Sequence, residues 1–189
     1  MPDQLSPEER QTLLRLARQA LESAVRGHGI PRVDLETLPE SLRKPGASFV
    51  TLTRQGELRG CIGALEPYQP LAEDVRDHAV AAAQQDYRFP PVQPAELPFI
   101  QIEISRLTLP SDLPYEAPAD LPNRLRPGVD GVTLIDGFRR ATFLPQVWEK
   151  LPDPVEFLEH LCYKMGASPN LWRTRKLHVQ IYQVEEFHE

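Results

Sequence analysis

Six consecutive residues, Leu58-Arg59-Gly60-Cys61-Ile62-Gly63, hold most of the chemical interest of this chain. In a strand, side chains two apart point the same way, so Arg59, Cys61 and Gly63 share one face and Leu58, Gly60 and Ile62 the other, which is the core side. That spacing sets a guanidinium beside a thiol. A nearby cation favours thiolate over thiol and raises nucleophilicity at neutral pH. Gly60 and Gly63 remove side-chain bulk around Cys61, so a ligand or another stretch of backbone has room to come close. The competing reading makes Cys61 a small buried hydrophobe in a hairpin whose glycines serve bends.

Asp86 and Arg88 flank Tyr87 at the end of an amphipathic stretch. They are candidates for orienting Cys61 or a substrate carboxylate, and an ion pair fixing a helix exit explains them equally well. His78 lies on the apolar side of the same stretch. It is either the base that a cysteine nucleophile needs or a satisfied core histidine. Glu103 projects from the polar side of an alternating segment, as a general acid or base or as a solvated carboxylate. Cys162 reads as core. Histidines 28, 78, 160, 178 and 188 show neither His-x-His nor His-Glu-x-x-His spacing, so no metal site is expected. No dinucleotide or phosphate-cradling glycine motif is present, and no cofactor is indicated.

The elements that must position these residues are legible in part. Ser6-Pro7-Glu8-Glu9 is a capping box that opens a helix, continued by Leu13, Leu16, Ala17, Ala20, Leu21 and Ala24 and ended by Gly27 and Gly29. Residues 30–45 read as a connection with at most a short helical turn. Ala47 to Thr53 and Leu58 to Gly63 read as strands joined by Arg54-Gln55-Gly56-Glu57. Leu71 to Asp86 reads as a helix, and Ile100, Ile102 and Ile104 alternate with Gln101, Glu103 and Ser105 as a half-buried strand. Prolines at 110, 114, 118, 122 and 127 make residues 108–127 an irregular excursion, either functional or mobile. Val132 to Phe143 reads as a hairpin turned by Asp136-Gly137 in type I′ geometry. Asp153-Pro154 caps a helix stopped by Gly166, and Val179, Ile181 and Val184 form one final strand. Hairpins with helices between them, lacking regular βαβ alternation, predict an α+β fold with a largely antiparallel sheet flanked by helices. No clean boundary divides residues 1–189.

A chain of 189 residues with 41% hydrophobic and 25% charged residues fits one globular domain. The net charge of -6 has the wrong sign for wrapping phosphates, so nucleic acid is not expected. Met1-Pro2-Asp3-Gln4 has no leader character and no long apolar run occurs, which predicts a cytoplasmic protein with no membrane span. Two distant cysteines indicate no disulfide framework. The oligomeric state stays open.

Taken together, Leu58 to Gly63, Asp86-Tyr87-Arg88-Phe89-Pro90-Pro91, Gly131-Val132 and Ala141-Thr142-Phe143-Leu144-Pro145 resemble the AMMECR-type domain family, also called AmmeMemoRadiSam system protein A. The likeness runs from the first helix to the last strand. It implies an α+β fold with a larger lobe on an antiparallel sheet, a smaller lobe packed beside it, and the six-residue signature near the groove between them. It also implies a pathway shared with Memo-type and radical SAM proteins. Two functions follow as expectations. One is a thiol-dependent enzyme or accessory subunit with Cys61 as nucleophile and Arg59 holding it as thiolate. The other is a non-catalytic module that grips a peptide or partner beside the signature, with the 108–127 excursion presenting an extended edge.

Overall fold

The computed structural model describes residues 4–189, and residues 1–3, on which part of the leader reading falls, lie outside it. In chain order the elements are α1 (Pro7–Val25), α2 (Glu40–Arg43), β1 (Pro45–Arg54), β2 (Glu57–Gly63), β3 (Gln69–Pro70), α3 (Leu71–Gln84), β4 (Ile100–Leu107), β5 (Ser111–Asp112), α4 (Leu121–Arg124), β6 (Gly131–Asp136), β7 (Arg139–Phe143), α5 (Pro154–Lys164), α6 (Leu171–Thr174), β8 (His178–Tyr182) and β9 (Val184–His188). Helices combined with antiparallel sheets make this an α+β fold, as the absence of βαβ alternation predicts. The chain divides into two compact units. One runs to Thr108 and includes Glu185–Glu189; the other is Leu109–Val184.

In the first unit the strand order is β2-β1-β4-β9, with β3 paired to the start of β1. The capping box forms as read: Ser6 Oγ accepts from the Glu9 N–H, and the Glu9 carboxylate accepts from the Ser6 N–H. This satisfies donors that the first helical turn leaves without partners. Leu13, Leu21, Val75 and Ala79 of α1 and α3 share a core with Val50, Leu52, Ile102 and Ile104 of the sheet. The two helices meet each other through Ala20, Ala24 and Val80, small enough to let their axes come close. The connection before β1 holds two helical segments, where at most one short turn was expected: a 3₁₀ turn at Leu35–Thr37 and α2. Full burial of Leu42 explains the second, because it draws the segment onto the core.

The second unit is a four-stranded sheet ordered β5-β8-β6-β7. Phe157, Leu158 and Leu161 of α5 pack on Val132, Leu134 and Val179. The Trp148 ring stacks on Phe157 at 3.7 Å while its indole N–H donates to the Asp130 carbonyl at 2.7 Å. The proline-rich excursion is built into this unit. Ser111 and Asp112 pair with β8, Leu121 is fully buried, and the buried Tyr115 hydroxyl bonds both the carbonyl and the N–H of Leu177.

Two local readings change. At the β6–β7 turn the central residues are Gly137 and Phe138, and only Gly137 has positive φ, which is the type II′ pattern. Type I′ occurs at Gln55-Gly56, where both φ values are positive. The expected last strand is two strands in different sheets: Val179 and Ile181 belong to β8, Val184 to β9. The three-residue step from Ile181 to Val184 breaks the two-residue alternation that one strand requires.

Helix α3 fixes β2 by direct backbone contact. A Cβ placed on Gly60 would lie 2.1 Å from the Ala82 carbonyl oxygen, so Gly60→Ala must push helix and strand apart. Urea denaturation should show a loss of about 2–3 kcal/mol, the usual range for overpacking a rigid contact. Gly27→Ala, where no atom lies within 4 Å but φ is +72°, should cost about 1 kcal/mol through backbone strain alone.

Candidate functional site

The type I′ turn pairs Arg54 with Glu57 and Thr53 with Leu58. Continued without interruption, that register would set Cys61 opposite Val50, on the side of the sheet covered by α1 and α3. Instead the pairing slips by one residue, and Leu52 lies opposite Gly60. Arg59 is the extra residue of a β-bulge, and past it Cys61 pairs with Thr51 on the face turned away from the helices. Ile62, opposite Val50, returns to the helix side and packs on the core.

The bulge corrects two sequence expectations. Leu58, read as a core residue, is 44% exposed opposite Thr53, whereas Arg59 is buried. Arg59 and Cys61 do not share a face. The Arg59 guanidinium goes to Glu96, donating from Nε at 2.9 Å and from Nη2 at 3.0 Å, and Arg54 Nη1 joins the same carboxylate at 2.7 Å. These arginines, with the Gln93 N–H, hold the Glu96 carboxyl down at about 2. Alternation could not reveal this, because one inserted residue reverses every side chain before it relative to those after it.

Asp86 and Arg88 are brought to Cys61, but to its backbone. As a residue of the edge strand, Cys61 turns its N–H and carbonyl outward at this pairing. The N–H donates to Asp86 Oδ2 at 2.8 Å, and Arg88 Nη2 donates to the carbonyl at 3.3 Å. Arg88 also binds Asp86 through Nε at 2.9 Å and Nη2 at 2.7 Å. The guanidinium, the Cys61 N–H and the Arg88 N–H together hold the nearly buried Asp86 carboxyl well below the usual carboxylate range. The pair is an ion pair at the exit of α3 that also bonds the Cys61 backbone and blunts an exposed sheet edge.

The Cys61 sulfur is half-buried and accepts a hydrogen bond from Thr51 Oγ1 at 3.3 Å. Thr51 in turn pairs with Glu103, so Cys61, Thr51 and Glu103 form one row across β2, β1 and β4. Gly63, Phe49 and Ser105 form the next row. Gly63 is required there, since a Cβ would lie 2.4 Å from the Phe49 ring. The signature glycines are therefore used by α3 and by β1. Thr51, Phe49 and Ser105 escaped sequence reasoning because only the pairing register brings them beside the thiol.

His78 is on the opposite side. Its Nδ1 lies 3.2 Å from Asp74 Oδ2, which also accepts from Ser48 Oγ at 2.6 Å. Ser48 has the same strand parity as Val50 and Leu52, so this buried trio faces the helices and His78 is no base for Cys61. Cys162 is fully buried, and burial pushes its thiol up. Among the described residues no group of three or more His, Cys, Asp or Glu side chains is placed to hold a metal ion, and no helix is long and apolar enough to cross a membrane.

Removing the Asp86 carboxylate in Asp86→Ala should cost about 2 kcal/mol in urea denaturation and speed amide hydrogen exchange at Cys61 more than tenfold, because a partly buried charged hydrogen bond is lost. A second expectation concerns acid. Glu96 has a folded pKa depressed from 4.5 to about 2, so its stabilisation is full above the unfolded value and disappears as pH falls through the interval between them. Unfolding free energy measured against pH should fall across that window, and Glu96→Gln should flatten the slope.

A family model described as AMMECR1 matches residues 14–187. A protein of Methanothermobacter thermautotrophicus is 42% identical over 98% of this chain and 96% of its own length. One of Thermofilum pendens is 39% identical, covering 98% of this chain and 92% of that one. The crystal structure of uncharacterized protein PH0010 from Pyrococcus horikoshii is similar at 33% identity and a TM-score of 0.77, covering 98% of this chain and 93% of that one. Matched by the family model over residues 14–187 and by these relatives along nearly its whole length, this chain belongs to the AMMECR1 family.

Proposed function

We propose that the protein is a thiol-dependent enzyme, or the thiol-bearing accessory subunit of one, with Cys61 as nucleophile on the face of the sheet turned from α1 and α3. The observation that carries this reading is the half-buried sulfur with Thr51 Oγ1 donating to it, on a backbone held on both sides by Asp86 and Arg88. A hydroxyl donor favours the anionic form of sulfur, and a clamped backbone fixes where the sulfur sits. Arg59 takes no part, being committed to Glu96. The cation nearest Cys61 is Arg88, which Asp86 binds and which donates to the Cys61 carbonyl. In the reaction Cys61 gives its proton to solvent and forms a carbon–sulfur bond to an electrophilic carbon. That carbon's bond to its leaving group breaks, and the leaving group departs with the electron pair. The pathway shared with Memo-type and radical SAM proteins, and a cytoplasmic location, belong to the same proposal and rest on the family resemblance and on composition.

A second reading has one observation behind it. Leu58 faces outward opposite Thr53, and Tyr87 and Phe99 are exposed at 95% and 60%, which suits a surface that binds a peptide or protein. Iodoacetamide separates the two. Native protein suffices, because Cys162 is fully buried. A nucleophilic Cys61 should react at neutral pH at least about tenfold faster in the folded chain than in urea, and Thr51→Val should slow it about threefold or more. Reaction only on unfolding would end the catalytic reading and leave the binding module.

A further inference from the structure

Strand β9 ends the order β2-β1-β4-β9, so β4 is its one neighbour in the sheet. Phe187 is its only buried residue, and ion pairs hold both ends. At one end Arg10 Nη2 donates to Glu185 Oε1 at 2.6 Å, Arg106 Nη1 reaches Glu185 Oε2 at 3.4 Å, and the Leu5 N–H donates to the same carboxylate at 3.3 Å. At the other end Arg18 binds the Glu189 carboxylate through Nε at 3.0 Å and through Nη2, which also donates to the Ile100 carbonyl at 2.8 Å. The Glu189 N–H donates to the Ile102 carbonyl at 3.2 Å. Helix and strand match in spacing. Arg10, Leu14 and Arg18 follow at four-residue steps along one stripe of α1, and Glu185, Phe187 and Glu189 at two-residue steps along one face of the extended chain. Eight residues of helix rise about 12 Å and four residues of strand about 13 Å, so both charge pairs form at once. The middle members, Leu14 and Phe187, lie in the same core.

We infer that β9 is a releasable strap: screening of the Arg10–Glu185 and Arg18–Glu189 pairs detaches it while α3 and the rest of the sheet stay folded. An edge strand with one buried anchor opens at lower cost than the elements packed around a full core. The side chains of Arg10, Arg18 and Glu189 are 35%, 22% and 30% exposed, so salt reaches both pairs. Connectivity gives release its effect. The second unit, Leu109–Val184, leaves the first after Thr108 and returns to it at Glu185. With β9 detached, it is tied to the folded part of the first unit by one chain link instead of two. Release also frees the Ile102 carbonyl, and with it an edge of β4 to which another strand can add.

Native-state amide exchange, read by NMR and corrected for intrinsic rates, tests the strap at about 0.05 and about 0.5 M NaCl, between which the screening length shrinks roughly threefold. The Phe187 and Glu189 N–H groups, two residues apart, both point to β4. They should exchange together, at least about tenfold faster than the Val75 and Ala79 amides inside α3, and about fivefold faster again at the higher salt. Arg18→Gln should speed both about tenfold and leave Val75 and Ala79 within about twofold, which also shows that the variant is folded. Should Arg18→Gln speed the α3 amides as well, the salt series on the native protein decides by the same criteria. Exchange of Phe187 no faster than that of Val75 overturns the strap. So does a rate that ignores both salt and Arg18→Gln, or one that rises at Glu189 alone, which would be fraying rather than release.

Discussion

The one-residue slip at Arg59 is the constraint on which the rest of the site depends. A type I′ turn at Gln55-Gly56 commits the β1–β2 hairpin to a register, and that register would bury Cys61 under α3. The bulge cancels it beyond Arg59 and turns Cys61 outward, while Leu58 and Arg59 keep the faces that the turn sets. An unpaired residue weakens the strand ladder, and here it is held by contacts on both sides. Glu96 receives the Arg59 guanidinium and α3 presses on Gly60. The segment is therefore a packing device in four of its six positions, and the thiol is what that device presents.

The same economy governs the strand's outer edge. Cys61 could leave its outward N–H and carbonyl to water, which would make a template for pairing with another chain. Asp86 and Arg88 close it, and because they come from the exit of α3, the helix that seats Gly60 also supplies the clamp. Two independent attachments of one helix to one strand hold the Cys61 backbone far more closely than hydrogen bonds to β1 alone. That rigidity is what a nucleophile or a recognition residue needs, since a site misplaced by even an ångström loses most of its effect.

Much of this is legible in the sequence. The capping box of α1, the alternation of β4, the turn residues near Gly56 and Gly137 and the α+β class all follow from local rules, and local rules hold wherever one element's own hydrogen bonds decide the outcome. Of the candidate residues, Cys61 and Glu103 lie in one row across β2, β1 and β4, and Asp86 and Arg88 bond the Cys61 backbone. Their relationships were not legible. Arg59 belongs with Glu96, a partner 37 positions away, and His78 with Asp74 and Ser48 on the far side of the sheet. Val184 belongs to a different sheet from Ile181.

By itself the sequence determined which segments are helical or extended, that the chain folds as α+β, and that one cysteine stands among glycines with charged residues at hand. Composition and periodicity settle these because each depends on neighbours within a few positions. Only the tertiary structure decided which way the sulfur faces and what touches it. That outcome turns on strand register, and register is a long-range quantity: it is fixed where Gly60 meets Ala82, where Arg59 meets Glu96 and where Thr51 meets both Cys61 and Glu103, contacts between residues that no local pattern connects.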